Sequence, residues 1–185
     1  YQQTIQSLLS SGFDVVCFSN GAGEDERLLR EILLESQPPK KWDGRVQLAP
    51  RAAHPRELAR LISQFDAVIA HRLHTNILAY SYRVPHIGLA WDPKLQAFFD
   101  SVDRNKFHIT LDDPNSRSIA SRVIEALEAG ISTQIHSRTL DLSADSIAKL
   151  AAKIVEASKL KVKPRYYQRQ KGTKPASSRN GLSDT

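Results

Sequence analysis

Six consecutive residues, His71-Arg72-Leu73-His74-Thr75-Asn76, form the densest polar cluster in the body of this chain. They follow the apolar run Asp66–Ala70 and open an amphipathic run from Leu73 to Tyr82, so they stand at a strand-to-helix junction. The first N–H groups of a helix have no intrahelical acceptor, and the helix dipole adds positive potential there, which together favour an anion. Arg72 adds a planar fork suited to a carboxylate or a phosphate. His74 can supply or accept a proton near neutral pH. The competing structural role has Arg72 salt-bridged to a neighbouring loop and His74 capping or packing. A second junction is Trp91-Asp92-Pro93-Lys94. Asp92 is a natural N-cap with Pro93 at the first helical position. Lys94, in the first helical turn, opposes the dipole, a placement better explained by anion binding than by decoration.

The remaining polar motifs carry less chemistry. Asn20-Gly21-Ala22-Gly23-Glu24 lacks both the Walker lysine pattern and the full GxGxxG spacing, so it reads as a plain turn, and the acids after it would repel an anion. Asp112-Asp113-Pro114 reads as a capped turn. His86 and His108 lie inside strand patterns, His86 as a packed core residue, while His54 and His136 read as surface loop residues. His71 and His74 are three apart, but no carboxylate or third histidine completes a metal set nearby, and no metal site is expected.

The elements that must position these residues follow from periodicity. Helical patterns cover Gln2–Ser10, closed by Gly12, then Glu24–Ser36, Pro55–Gln64, Leu73–Tyr82, Pro93–Ser101 and Asn115–Glu128. Ser143–Ala157 reads as a last helix, capped by Ser143 and packing Ile147, Leu150, Ala151 and Ile154; the stretch 131–142 has no clear pattern. Apolar runs at Asp14–Ser19, Arg45–Ala49, Asp66–Ala70, Pro85–Ala90 and Lys106–Leu111 read as strands. Strands alternating with helices, without hairpin signals, predict an α/β fold: a Rossmann-like, doubly wound parallel sheet covered on both faces. In such sheets ligands bind at the carboxyl ends of the strands, which is where the two polar junctions lie.

Composition sets the bounds. The chain has 185 residues, 41% hydrophobic and 25% charged, in the range of a globular protein with one domain. One cysteine, Cys17, excludes an internal disulfide framework and a cysteine-rich zinc module. No apolar run approaches the roughly 18–20 residues that span a bilayer. The net charge of +6 is unevenly spread. Residues 159–185 carry eight Lys and Arg against Asp184 alone, whereas residues 1–158 carry 18 basic and 19 acidic residues. The expected organisation is therefore a Rossmann-like domain over 1–158 and a basic, disordered tail over 159–185.

The segment from Leu61 to Phe99 resembles the C-terminal signature of the polysaccharide pyruvyl transferase family. The resemblance rests on four elements in order: an apolar strand, Arg72-Leu73-His74 opening a helix, the Val84-Pro85 strand, and Trp91-Asp92-Pro93-Lys94 followed by Phe98. It extends more loosely from Phe13 to Leu127. Two departures stand out: Tyr82-Arg83 precede Val84-Pro85 where the family commonly has a small residue or glycine, and Trp91 replaces the usual tyrosine. The resemblance implies the C-terminal half of a GT-B-like two-domain enzyme, inactive as an isolated piece. It implies transfer of pyruvate from phosphoenolpyruvate to two sugar hydroxyls, forming a ketal on a cell-surface or exported polysaccharide. His74 would be the acid, Arg72 and Lys94 the donor-binding residues, and Asp92 and Trp91 supports. No cofactor or metal is implied. The partners would be phosphoenolpyruvate and a sugar or lipid-linked oligosaccharide, in the cytoplasm or at the inner face of the cell membrane.

Two other readings stay open. A glycosyltransferase half-domain would bind a nucleotide sugar at the same sheet edge. A binding module would use the basic tail, with Tyr166 and Tyr167 among its cations, on nucleic acid or weakly on an anionic membrane.

Overall fold

In the computed structural model, residues 1–21, 23–35, 44–90, 92–110 and 119–159 are described. Strands and helices alternate as α1 (Gln2–Ser10), β1 (Val15–Cys17), α2 (Gly23–Arg30), β2 (Val46–Leu48), α3 (Pro55–Ile62), β3 (Val68–Ala70), α4 (Leu73–Ser81), β4 (His86–Leu89), α5 (Pro93–Ser101), β5 (His108–Ile109), α6 (Ile119–Ala129) and α7 (Thr133–Lys159). A wide π turn, Glu31–Glu35, continues α2, and a 3-10 turn, Asn105–Phe107, leads into β5. The chain divides into two compact units, residues 1–140 and residues 141 onward.

All five strands pair in parallel, but not as one sheet. β1 pairs with β2, with Val15 opposite Val46, and β4 is the centre of β3-β4-β5, with Val68 opposite His86 and Gly88 opposite His108. The expected strands and their direction are therefore present, and among the described residues they form two sheets rather than one continuous sheet. Each strand is two to four residues long, and between β1 and β3 stands a cavity walled by side chains of α1 and α2. The arrangement is α/β and compatible with a Rossmann-like fold.

Both faces of the three-stranded sheet are covered, as alternation along β3 requires. Val68 and Ala70 pack with Ile62, Ala79 and Val84 from the α3 and α4 side. Ala67 and Ile69 belong to a larger cluster containing Leu8, Ile87, Phe99, Phe107 and Val123. Gly88 in β4 is required by this packing, since a Cβ there would lie 2.5 Å from the Phe99 ring of α5.

One device ends three of the helices. After α1, Gly12 is left-handed (φ +92°), Gly12 N–H bonds Leu9 O and Phe13 N–H bonds Leu8 O. After α4, Arg83 (φ +59°) bonds Tyr80 O and Val84 bonds Ala79 O. After α5, Asp103 (φ +55°) bonds Asp100 O and Arg104 bonds Phe99 O. These are Schellman closures, which satisfy the last carbonyls through one left-handed residue. The position before Val84-Pro85 is thus one where glycine costs no strain, and this chain holds Arg83 there.

Three local expectations are corrected. Thr133–Lys159 is one helix, so Ser143 is in its middle and does not cap it. Within the unit that begins at residue 141, no described element covers Ile147, Leu150 and Ile154, the residues expected to pack. His136 is buried in the first turns of α7, its ring 5.2 Å from that of Tyr80 and its Nε2 3.3 Å from Ser81 O. The helical periodicity of 133–142 is polar on most faces, which hid that helix from a hydrophobic pattern. Residues 111–118 and 160–185 lie outside the described residues, and with them the Asp112-Asp113-Pro114 turn and nearly all of the basic tail.

Candidate functional site at the carboxyl ends of β1 and β3

A cavity of about 470 Å³ opens where β1 and β3 run side by side without pairing. Its walls are mostly apolar, with Leu8, Phe13, Leu29 and Ile69 among them, and Cys17 half-buried in its lining. Burial raises the Cys17 thiol pKa, which favours the protonated thiol over the thiolate. Asp14, Gln64 and Asp66 line it near the amino ends of the two strands, and a second polar group lines it at their carboxyl ends. There Ser19 and Asn20 follow β1, and His71 and Arg72 follow β3. This is the edge at which parallel α/β sheets bind ligands.

The junction after β3 is held by Asn76, fully buried on α4, whose Nδ2 donates to Ala70 O (3.1 Å) and Arg72 O (3.0 Å). Asn76 Oδ1 is buried with no hydrogen-bond partner. One residue earlier, the buried Thr75 hydroxyl donates to Asn20 Oδ1 at 2.8 Å, tying the end of β3 to the end of β1. These two side chains tie down the two-residue junction between β3 and α4.

Arg72 occupies the N-cap position of α4 with extended backbone (φ −79°, ψ 125°). Its Nε and Nη2 bond the Asp25 carboxylate at 3.1 and 2.7 Å, a bidentate pair with the first turn of α2. That hydrogen bonding raises the guanidinium pKa further. The pair is partly solvated, the Arg72 side chain being 44% exposed, so its contribution to stability is about 1 kcal/mol or less. His71 stands against Tyr1, with ring centroids 5.7 Å apart and the Tyr1 hydroxyl hydrogen-bonded to Nε2. Burial pushes the His71 pKa below the ordinary histidine value; a backbone hydrogen bond at Leu89 opposes this and the Arg72 charge adds to it. The Tyr1 hydroxyl is raised, by burial first and by Asp25 second.

The other sequence-derived candidates sit elsewhere. His74 is exposed in the first turn of α4 and is not among the residues lining the cavity. Asp92 caps α5, its carboxylate accepting from Lys94 N at 2.8 Å, and Lys94 is exposed in the first turn of that helix. Trp91 lies outside the described residues. The structure thus adds Asn20 and Asp25 to the cluster that already held His71, Arg72 and Thr75. Asp25 is 47 residues from Arg72, and Asn20 is 55 from Thr75. No local spacing carries such pairs; the one available signal was that both segments follow predicted strands. Among the described residues, no group of three His, Cys, Asp or Glu could hold a metal ion, and no helix is long and apolar enough to cross a membrane.

The family model described as polysaccharide pyruvyl transferase matches residues 1–93 of the 185. The matched span contains Asp25, His71, Arg72, His74, Trp91 and Asp92 and stops one residue before Lys94. No curated protein and no solved structure matches the chain.

Proposed function

The chain belongs to the polysaccharide pyruvyl transferase family, and from that membership we propose that it takes part in moving pyruvate from phosphoenolpyruvate to two hydroxyls of a sugar. The reading is carried by one observation: the matched span includes a guanidinium, Arg72, at the N-cap of α4, on the carboxyl edge of the sheet. Phosphoenolpyruvate carries a carboxylate and a phosphate, and Arg72 with the first N–H groups of α4 suits such an anion. Lys94 is proposed to meet the phosphate from the start of α5, with Asp92 fixing that helix end and Trp91 as a further supporting residue of the site.

The chemistry needs an acid. In this proposal the His74 imidazolium protonates the methylene carbon of the donor, which becomes a methyl group, and leaves C2 electron-poor. A sugar hydroxyl adds to C2 and loses its proton. The C2–O bond to phosphate then breaks, its electron pair leaving with phosphate, and a second hydroxyl adds and loses its proton. Two C–O bonds form and one breaks, giving the cyclic ketal and inorganic phosphate. The positive helix end and Arg72 stabilise the charge collecting on the leaving phosphate. None of these steps calls for a metal or an organic cofactor. The acceptor in this reading is a sugar of a cell-surface polysaccharide or its lipid-linked precursor, docked against a second domain of GT-B-like arrangement. The reaction is placed in the cytoplasm or at the inner membrane face, with the basic tail making weak contact with anionic lipid.

Calorimetric titration tests the donor assignment. Phosphoenolpyruvate should bind the chain saturably, Arg72→Ala should weaken binding at least about tenfold, as loss of a charge-assisted bidentate contact implies, and His74→Ala should leave binding within a few-fold. Preferential binding of a UDP-sugar, or phosphoenolpyruvate binding indifferent to Arg72→Ala, would reject it.

A further inference from the structure

At the other edge of the three-stranded sheet, before β5, lies a second and smaller pocket of about 130 Å³. It is lined by Arg104 and Lys106, by the turn Gly130-Ile131-Ser132, and by Asp103 and Tyr80 among others. Arg104 is 5% exposed. The Schellman closure of α5 puts it there, because Asp103 is left-handed and Arg104 N–H is tied to Phe99 O.

The guanidinium is poorly satisfied for a buried charge. Nη1 donates to Gly130 O, and the plane lies over the Phe107 ring at 4.3 Å, but Nε and Nη2 are buried without a hydrogen-bond partner. Burial lowers the Arg104 pKa to about 10, which still leaves it charged at neutral pH. A cation over an aromatic face recovers part of the cost of burial. That does not replace two charged hydrogen bonds, whose absence in the interior costs more. Among the described residues, no carboxylate pairs with it.

Other cationic features surround the same pocket. Lys106 lies over the same Phe107 ring at 4.8 Å and is bound at 3.1 Å to Glu125. Arg83 donates to Ile131 O (3.3 Å) and to Thr133 Oγ1 (2.8 Å), bracing the turn before α7. The pocket is also lined by Ser132 and Ile135, the start of α7, a 27-residue helix whose first N–H groups precede the first intrahelical bond. Against these stand Asp103 in the lining and the Glu125 that holds Lys106, so the balance of the pocket is positive.

We propose that this pocket binds a phosphate group, held by Arg104 and the first turn of α7, at the amino edge of the sheet and apart from the site at the carboxyl edge. The ligand supplies the acceptors that Nε and Nη2 lack and faces the positive end of α7. Bridging α5, the turn after α6 and α7, it stabilises the packing of Tyr80, Val102 and Ile131, which form one cluster there.

Inorganic phosphate is the probe, added to the full chain at constant ionic strength with chloride and acetate as controls. A saturable rise in Tm is expected with phosphate alone, with NMR shifts at the Gly130 and Ser132 amides. Both effects should persist in Arg72→Ala and vanish in Arg104→Met. Should Arg104→Met fail to fold, the amide shifts in the native chain and in Arg72→Ala decide. Glycerol 3-phosphate distinguishes a free ion from a phosphate ester: tighter binding of the ester names an ester as the ligand, weaker binding a free ion. No saturable response, a response equal with chloride, or shifts confined to residues around Arg72 would overturn the site.

Discussion

His86 shows how one side chain can link sheet packing to pH. It is fully buried in β4, its ring among those of Tyr80, Phe98 and Phe99, with Nδ1 3.0 Å from Val84 O. Burial, with a smaller contribution from the Arg104 charge, lowers its pKa from 6.5 to about 4. A histidine depressed in the folded state makes the unfolded state bind more protons between those values. Its contribution is fully present above pH 6.5 and is lost as pH falls towards 4. Between pH 7.5 and 5 it amounts to about 2 kcal/mol. His71 and His108 are lowered by burial with the same sign. Urea midpoints should therefore fall over this range, and fall less in His86→Gln; an unchanged slope in that variant would contradict the assignment. Arg72 teaches something different. Its type and place at a helix start were evident from the chain alone, while its bond to Asp25 was not, because acids in the first turn of α2 are already explained by the helix dipole.

Helix closures give the sharpest test among the elements. Arg83 is left-handed at the end of α4, where a side chain costs about 1–2 kcal/mol. Its guanidinium offsets part of that cost through Ile131 O and Thr133 Oγ1. Arg83→Gly and Arg83→Ala both delete those bonds and differ in the backbone penalty, so the glycine variant should be the more stable by about 1 kcal/mol in thermal or urea unfolding. Equal stabilities would mean that α4 does not close through this residue. The same comparison explains what was legible. Gly12 announces its closure, since glycine is the residue expected there. Arg83 and Asp103 conceal theirs, because only the carbonyls waiting at the ends of α4 and α5 demand that conformation. In α7 the apolar spacing of Ile147, Leu150 and Ile154 foretold a helix correctly; periodicity reports that a face exists, not what covers it.

The two parallel strand sets imply unequal stability across the molecule. β4 is paired on both sides and buried along most of its length, whereas among the described residues β1 and β2 pair only with each other and are half-buried or exposed. Native-state hydrogen exchange should find β4 amides the slowest, and those of β1 and β2 at least about tenfold faster, since local opening there breaks fewer contacts. Uniform protection over all five strands would show a single cooperative sheet instead. Chain chemistry alone determined the alternation of strands and helices, the parallel direction, the Asp92-Pro93 start of α5 and the polar junction at Arg72. Each depends on residues within a few positions of one another, through periodicity, capping and turn preference. Only the tertiary structure decided that β1 and β3 stand apart around a cavity, that Asp25 takes Arg72 and Asn20 takes Thr75, and that Arg104 is buried beside α7. Those outcomes join residues 26 to 55 positions apart, and which distant partner a charge or an amide meets depends on how the layers pack, a property that no local spacing encodes.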